Sequence, residues 1–180
     1  AQIGGNYPLD GDYIQTADID LGTIISPKIG TFSGTYDGGN FKITYNATFG
    51  DNSYGVYGLI GTNNGTIKNL KVQGVLYLQG NAQQVGLICG NNAGTIDSCE
   101  VLLGSSISHA ENGGAMFTGL VAGRQESGAL INNCTATGNC NGVLRTGGIV
   151  GLSLGTIKAC TFTSGALKSR GYIAYDYNMM

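Results

Sequence analysis

A chain of 180 residues with 11% charged residues and a net charge of −2 is long enough for one domain and carries no basic cluster of the kind that binds nucleic acid. No apolar run approaches the ~18 residues needed to span a bilayer, so membrane insertion by this segment is not expected. The five cysteines contain no CxxC pair and the single His109 has no partner histidine, so neither a metal nor a cofactor is expected.

The 32 glycines fall at fixed places beside short runs of Ile, Val, Leu, Tyr and Phe, as turns between strands do. The first residues do not read as a signal peptide, and Ala1 is expected to be a mature N-terminus or a boundary within a longer protein. Residues 1–57 read as irregular opening coils. Tyr13 to Leu21 ends in a period-2 pattern, with Ala17, Ile19 and Leu21 facing one way and Asp18 and Asp20 the other, which predicts a half-buried strand. Phe32–Tyr36 and Phe41–Tyr45 read as two more strands joined by Asp37-Gly38-Gly39-Asn40, a strong turn signal. Pro8 and Pro27 sit between strands, where a missing N–H does no harm.

From Gly58 the chain repeats itself. GLIGTNNGTIKNLKVQG at Gly58 is echoed from Gly86, Gly119 and Gly148, at spacings of 28, 33 and 29 residues. A period in this range means units that bury their apolar face only against neighbouring units. Each has an apolar pair expected to be a short strand: Leu59-Ile60, Leu87-Ile88, Leu120-Val121 and Ile149-Val150. A polar or glycine turn follows, then a second strand with Ile-x-x-Leu or Ile-x-x-Cys: Ile67 and Leu70, Ile96 and Cys99, Ile131 and Cys134, Ile157 and Cys160. Stacked in register, Leu70, Cys99, Cys134 and Cys160 form one interior column, and Val72, Val101, Ala136 and Phe162 the next. Lys71, Glu100, Thr135 and Thr161 then point outward, with Lys71 above Glu100 and Lys68 above Asp97.

Roughly 29 residues per turn leaves room for three short strands and three bends. The expected fold is all-β, a single-domain parallel β-helix (β-solenoid), right-handed, of about six coils spaced ~4.8 Å apart. Residues 1–57 are the opening, 58–165 the four repeats and 166–180 a tail. In the tail, Tyr172, Tyr175 and Tyr177 lie in a weakly alternating run that reads as a cap, a strand offered to a neighbour as an assembly joint, or a cloning boundary.

Gly58-Leu59-Ile60-Gly61 and Gly148-Ile149-Val150-Gly151 resemble the GLUG motif of large secreted and surface proteins of bacteria. Gly86 to Gly90 and Gly119 to Gly123 carry one extra residue before the second glycine. Tyr13 to Leu21, Ile29-Gly30 and Phe32 to Asn40 are similar to the segment preceding such repeats in adhesin-like proteins. Ala1-Gln2-Ile3-Gly4 is similar to the middle of that lead-in, which implies a piece of a longer protein. The resemblance covers residues 1–165 and implies a parallel β-helix, cell-surface attachment and adhesion, with no catalytic residues to carry over.

Other chemistries are weighed against simpler readings. Stacked cysteines are expected to be buried free thiols, because parallel Cβ vectors disfavour a bridge; Cys140, in an NCNG run that reads as a turn, is the thiol expected to be exposed. Asp10, Asp12, Asp18, Asp20, Asp37 and Asp51 crowd the N-terminal third, yet none fits a calcium loop and turn chemistry accounts for them. Glu100, Glu111 and Glu126 with Arg124, Arg145 and Arg170 do not read as the convergent groove of a polysaccharide enzyme. His109 falls in an insertion, Ser105 to Gly114, that explains the 33-residue period. Thr135 and Thr137 are expected to stack with Thr161 and Thr163, and Thr66, Thr95 and Thr156 form a partial column, but Lys71, Gln73, Glu100 and Leu102 at the corresponding outer positions of the earlier coils break the array, so ice binding is not expected. Asn46, Asn64 and Asn133 match the N-glycosylation pattern by chance.

The expected function is that of a non-enzymatic extracellular module, secreted or attached to the surface of a bacterium. It spaces or displays a face of outward Tyr, Asn and Thr side chains and the 105–114 loop, for a host or cell-surface glycan or protein. The competing expectation is a fibre subunit whose partners are copies of itself, stacked end to end.

Overall fold

An extended strand alternates its side chains, so residues three apart point to opposite faces unless the chain turns between them. In the computed structural model, which describes residues 7–24, 29–49, 55–111 and 114–170, the turn between Ile67 and Leu70 is made at Asn69, whose φ is 51°. The same left-handed corner recurs at Ser98, Asn133 and Ala159, with φ of 52°, 51° and 50°. Both members of each Ile-x-x-Leu/Cys pair therefore turn to the interior.

The described residues fold into parallel strands and bends, with no helix among them. The first coil holds β1 (Asp12–Ile14) and β2 (Ile19–Ile24); the second holds β3 (Ile29–Phe32), β4 (Thr35–Asp37) and β5 (Lys42–Phe49). The third has β6 (Gly55–Tyr57), β7 (Ile60–Asn63), β8 (Thr66–Lys68) and β9 (Lys71–Leu78). The fourth has β10 (Asn81–Gly86), β11 (Cys89–Asn92), β12 (Thr95–Asp97) and β13 (Glu100–His109). The fifth has β14 (Gly114–Gly119), β15 (Ala122–Gln125), β16 (Leu130–Asn132) and β17 (Thr135–Gly142). The last has β18 (Arg145–Gly147), β19 (Val150–Ser153), β20 (Thr156–Lys158), β21 (Thr161–Ser164) and β22 (Leu167–Ser169).

Like strands stack into four parallel sheets. The first is β6-β10-β14-β18 and the second β3-β7-β11-β15-β19. The third is β1-β4-β8-β12-β16-β20, and the fourth β2-β5-β9-β13-β17-β21, with β22 also on β17. This is a β-solenoid. The six strands of the third sheet bound five complete turns, and Ile67 to Ile96 measures one of them at 29 residues. A complete coil has four strands rather than the expected three, because the chain bends at the glycine–aliphatic pairs as well as at the left-handed corner. Leu59, Leu87, Ile88, Leu120, Val121 and Ile149 lie in those bends instead of forming strands.

Two opening strands are also broken by corners. Tyr13 to Leu21 divides at Gln15, a buried amide that donates to the Ala17 and Lys42 carbonyls, and Ala17 is exposed. Phe32–Tyr36 divides at Ser33-Gly34, because a side chain at Gly34 would strike the Gly11 backbone of the coil before it. The Asp37–Asn40 turn forms as its residues predict: Gly39 and Asn40 take φ of 56° and 62°, and the Gly39 amide donates to the Asp37 carboxylate. That amide, then the Asn69 side chain, hold the Asp37 carboxyl below its usual range. Pro27, Asp51 and Tyr172–Tyr177 lie outside the described residues.

The inward columns stand in the expected register. Ile43, Val72, Val101, Ala136 and Phe162 continue one another in the fourth sheet, and Tyr13, Tyr36, Ile67, Ile96, Ile131 and Ile157 in the third. Coils lie ~4.8 Å apart, which also explains the repeated glycines. A Cβ on Gly86 would sit 2.7 Å from the Ala122 Cα of the next coil, and one on Gly123 2.3 Å from the Val85 amide nitrogen of the coil before it.

A polar column runs through this apolar interior. Asn63, Asn92 and Gln125 are fully buried and stack in register, ending on half-buried Ser153. Asn63 Nδ2 donates to Asn92 Oδ1 at 2.8 Å, Asn92 Nδ2 to the Gly94 and Leu130 carbonyls, and Gln125 Nε2 to the Ala129 and Thr156 carbonyls. Ser153 Oγ donates to Gln125 Oε1 at 2.8 Å. The ladder satisfies carbonyls that the bends would otherwise strand in the core.

The long period is not one insertion. Val72 to Val75 spans three residues where the matching Val101 to Ser106 spans five, so Leu102–Gly104 bulges outward, with Gly104 at φ 91°. The remaining extra residues lie between His109 and Gly114. Ser105 to His109 is therefore strand, in register with β9, and not loop.

Two substitutions test this account by urea denaturation. Asn92→Ala removes the donor to two buried carbonyls and is expected to cost about 2–3 kcal/mol. Ser98→Gly relieves a left-handed non-glycine corner and is expected to stabilise by about 0.5–1 kcal/mol, the strain released less the entropy glycine adds to the unfolded chain.

Candidate functional site

The fourth sheet has the longest strands and so offers the widest outer face. Its alternation puts Ile43, Tyr45, Ala47 and Phe49 of β5 inside and Lys42, Thr44, Asn46 and Thr48 outside. Interior fit is close: Tyr45 reaches across to donate to the Leu87 carbonyl at 2.6 Å, Gly74 on the next coil leaves room for its ring, and burial pushes the phenol up.

Two outward columns dominate the face. Thr23, Asn46, Val75, Ser106 and Asn139 stand in register in one, and Thr48, Tyr77, Ser108, Asn141 and Lys168 in the other. Neighbours within a column are ~4.8 Å apart and the columns about 6.8 Å apart, set by strand spacing and by two residues of rise. Hydroxyls and amides prevail, and Lys168 is the one charge in the two columns. Val75 and Tyr77 are exposed, and Leu103 projects from the bulge beside them, 75% exposed, its carbonyl accepting from Gln73 Nε2.

At the corner where the fourth sheet passes into the first, a concavity of about 500 Å³ is lined by Asn81, Ala82, Gly114, Ala115, Met116, Val143 and Leu144. His109 stands beside it: its Nδ1 accepts from Arg170 at 2.6 Å, and its buried Nε2 has no hydrogen-bond partner among the described residues. Arg170 also donates to the Glu111 and Ala110 carbonyls. The corner is walled by apolar groups, and nothing in the residue pattern marked it out.

The charged residues weighed as catalytic fall at four places, with Arg170 at the Glu111 carbonyl beside His109. Arg124 pairs with Glu126 at 3.0 Å, Arg145 lies over the Phe117 ring, and Glu100 is on the outer face of the fourth sheet. Of the two anticipated charge pairings, both registers hold, but Lys68 pairs with Asp37 of the preceding coil at 3.4 Å and Asp97 accepts from Asn132. The N-terminal aspartates are engaged as backbone acceptors: Asp12 for Thr35, Asp18 for Lys42 and Asp20 for Gly22. Among the described residues no group of three or more His, Cys, Asp or Glu side chains is placed to hold a metal ion.

The repeat residues are placed as follows. Leu59, Ile60, Ile67, Leu70, Leu87, Ile88, Ile96, Cys99, Leu120, Val121, Ile131 and Cys134 are buried. Ile149, Val150 and Cys160 are half-buried and Ile157 is exposed, because they belong to the last described coil. All five cysteines are free thiols. Cys140 is fully buried rather than exposed, because the NCNG run is strand, with Cys140 inward between Ile107 and Leu167. Burial pushes its thiol up to about 12. Contact with the Cys134 thiol, together with burial, raises Cys99.

Two known proteins share this sequence pattern. The chain is 32% identical over 142 residues to halomucin of Haloquadratum walsbyi, a match covering 79% of the chain and 1% of that protein. It is 33% identical over 114 residues to a putative Gly-rich membrane protein of Evansella cellulosilytica, covering 55% of the chain and 13% of the relative. The chain thus corresponds to a small part of either protein. No protein-family model matches it, and no solved structure does.

Thiol exposure has a direct readout. Ellman's reagent on the native protein is expected to titrate Cys160 alone, and urea to release the other four thiols. Reaction of Cys140 in the native state would contradict the inward placement of β17.

Proposed function

We propose that this chain is a non-catalytic, GLUG-type β-solenoid module of an extracellular surface protein, and that the outer face of its fourth sheet binds glycan. The observation that carries this reading is the pair of in-register columns of hydroxyl and amide side chains around exposed Tyr77. Such groups donate to and accept from sugar hydroxyls, and an aromatic ring packs on the apolar face of a pyranose. Parallel coils repeat these groups at fixed intervals, which suits an extended polymer better than a small solute. The concavity beside the face supplies an apolar wall at one end of such a track.

Two further points support the setting. The β-solenoid and its similarity to a Gly-rich membrane protein and to halomucin fit a module of a surface protein. Of the acids and bases weighed as catalytic, Arg124 is paired with Glu126 and Arg145 lies over the Phe117 ring, which fits display better than hydrolysis.

A glycan array probed with the intact chain tests the proposal. Binding is expected to polymeric glycans, and Tyr77→Ala is expected to weaken it at least about tenfold, as loss of an aromatic anchor does. An array without signal, alongside retained binding to a protein surface, would transfer the face to a protein partner. Binding that survives both Tyr77→Ala and Asn139→Ala would move the site elsewhere on the solenoid.

A further inference from the structure

The two ends of the stack carry opposite charge. From Tyr7 to Ile24 every charged residue is acidic, namely Asp10, Asp12, Asp18 and Asp20, and all four are exposed. From Val143 to Arg170 every charged residue is basic, namely Arg145, Lys158, Lys168 and Arg170, and all four are exposed. A chain whose net charge is only −2 thus places four negative charges on the described residues of its first coil and four positive charges on those of its last.

Among the described residues, the same two coils have the most exposed core positions. Ile157 and Leu167 are each 43% exposed and Leu154 is 53% exposed, whereas Ile67, Ile96 and Ile131 of the same third-sheet column are at 0%. At the other end Ile19, which begins the column that continues through Ile43 and Val72, is 38% exposed. β1 pairs only with β4 and β2 only with β5, while β20 pairs only with β16 and β21 only with β17. Among the described residues, each terminal coil therefore presents one unpaired row of backbone donors and acceptors.

We propose that these ends are the two halves of one interface: the last coil of one copy stacks on the first coil of a second copy, head to tail. Continuing the internal register by one step sets Ile157 against Tyr13 and Phe162 against Ile19, so both inward columns run on across the junction. Lys158 then lies diagonally across from Asp12 on the outer side, within reach of a lysine side chain. Strand addition satisfies both open rows at once. Because the two patches differ, the contact is heterologous and does not close by two-fold symmetry, so it propagates into a line of copies. Apolar columns supply the contact area and the opposed charges select head-to-tail over head-to-head docking.

The test is sedimentation velocity of the full chain as a function of salt, with two charge-reversed variants. At low salt the wild type is expected to form a ladder of oligomers that shortens as salt screens the exposed charges. R145E/K158E/K168E leaves three acids and one base on the last coil, so both ends are acidic, and D10K/D12K/D20K leaves three bases and one acid on the first, so both ends are basic. Each alone is expected to associate at least about tenfold more weakly than wild type. Mixing the two is expected to restore association, since the acidic ends of one then face the basic ends of the other; rescue also shows that both variants fold. Wild type that stays monomeric at every salt and concentration would mean that other chain segments or an unrelated partner cover these ends, and would overturn the proposal. So would oligomers indifferent to both reversals, or a mixture that does not associate.

Discussion

Each coil of this chain gives and receives its backbone hydrogen bonds from the coils above and below, and that in-register pairing governs what every position can hold. A residue meets its counterpart one turn away at ~4.8 Å, so a buried position favours an apolar neighbour, a polar one that bonds along the column, or no side chain at all, although Asn63 stacks on Phe32 where the amide column begins. The interior shows all three. Ile67, Ile96 and Ile131 are apolar without exception; Asn63, Asn92 and Gln125 bond to one another or to bend carbonyls; Gly86 and Gly123 have no side chain because backbone occupies the space. The amide column matters most where the chain bends, since a bend frees carbonyls that no strand partner takes up.

The left-handed corners turn that constraint into a cross-section. By rotating the chain at Asn69, Ser98, Asn133 and Ala159, they bring both ends of each Ile-x-x-Leu/Cys pair inside and aim the next strand along the broad fourth sheet. Asparagine and serine tolerate such a φ better than most side chains, and alanine does so at a cost. The flat outer face is thus a by-product of the corner. A long strand leaving a fixed bend at every level has to lie in register with its neighbours, and its outward side chains line up without contacting one another strongly.

Much of this was legible in the residues because stacking is periodic. The spacing of GLIG-like segments set the coil, and the alternation after each corner put Val72, Val101 and Ala136 in one column as found. What stayed hidden has a common cause: single-strand periodicity carries no signal for a corner. Leu87-Ile88 looks like a strand and is a bend; Asn-Cys-Asn-Gly at 139–142 looks like a turn and is strand, because glycine in a parallel stack marks close approach as often as reversal. Asn63 and Asn92 were readable as a column from their 29-residue spacing, yet asparagine after a strand suggests a turn long before it suggests a buried ladder. The groove near His109 joins three coils through residues of no special type, so no local pattern announces it.

The bulge at Leu102–Gly104 has a wider meaning. Two additional residues are pushed entirely to the outside, and Ile107 still lands on Leu76 as if nothing had been added. Length variation in such a chain is therefore written on its exterior while the scaffold stays unchanged. New recognition elements can be grown, altered or lost as outward bulges of a strand without a new folding problem having to be solved, which makes each coil an independent site of evolutionary experiment.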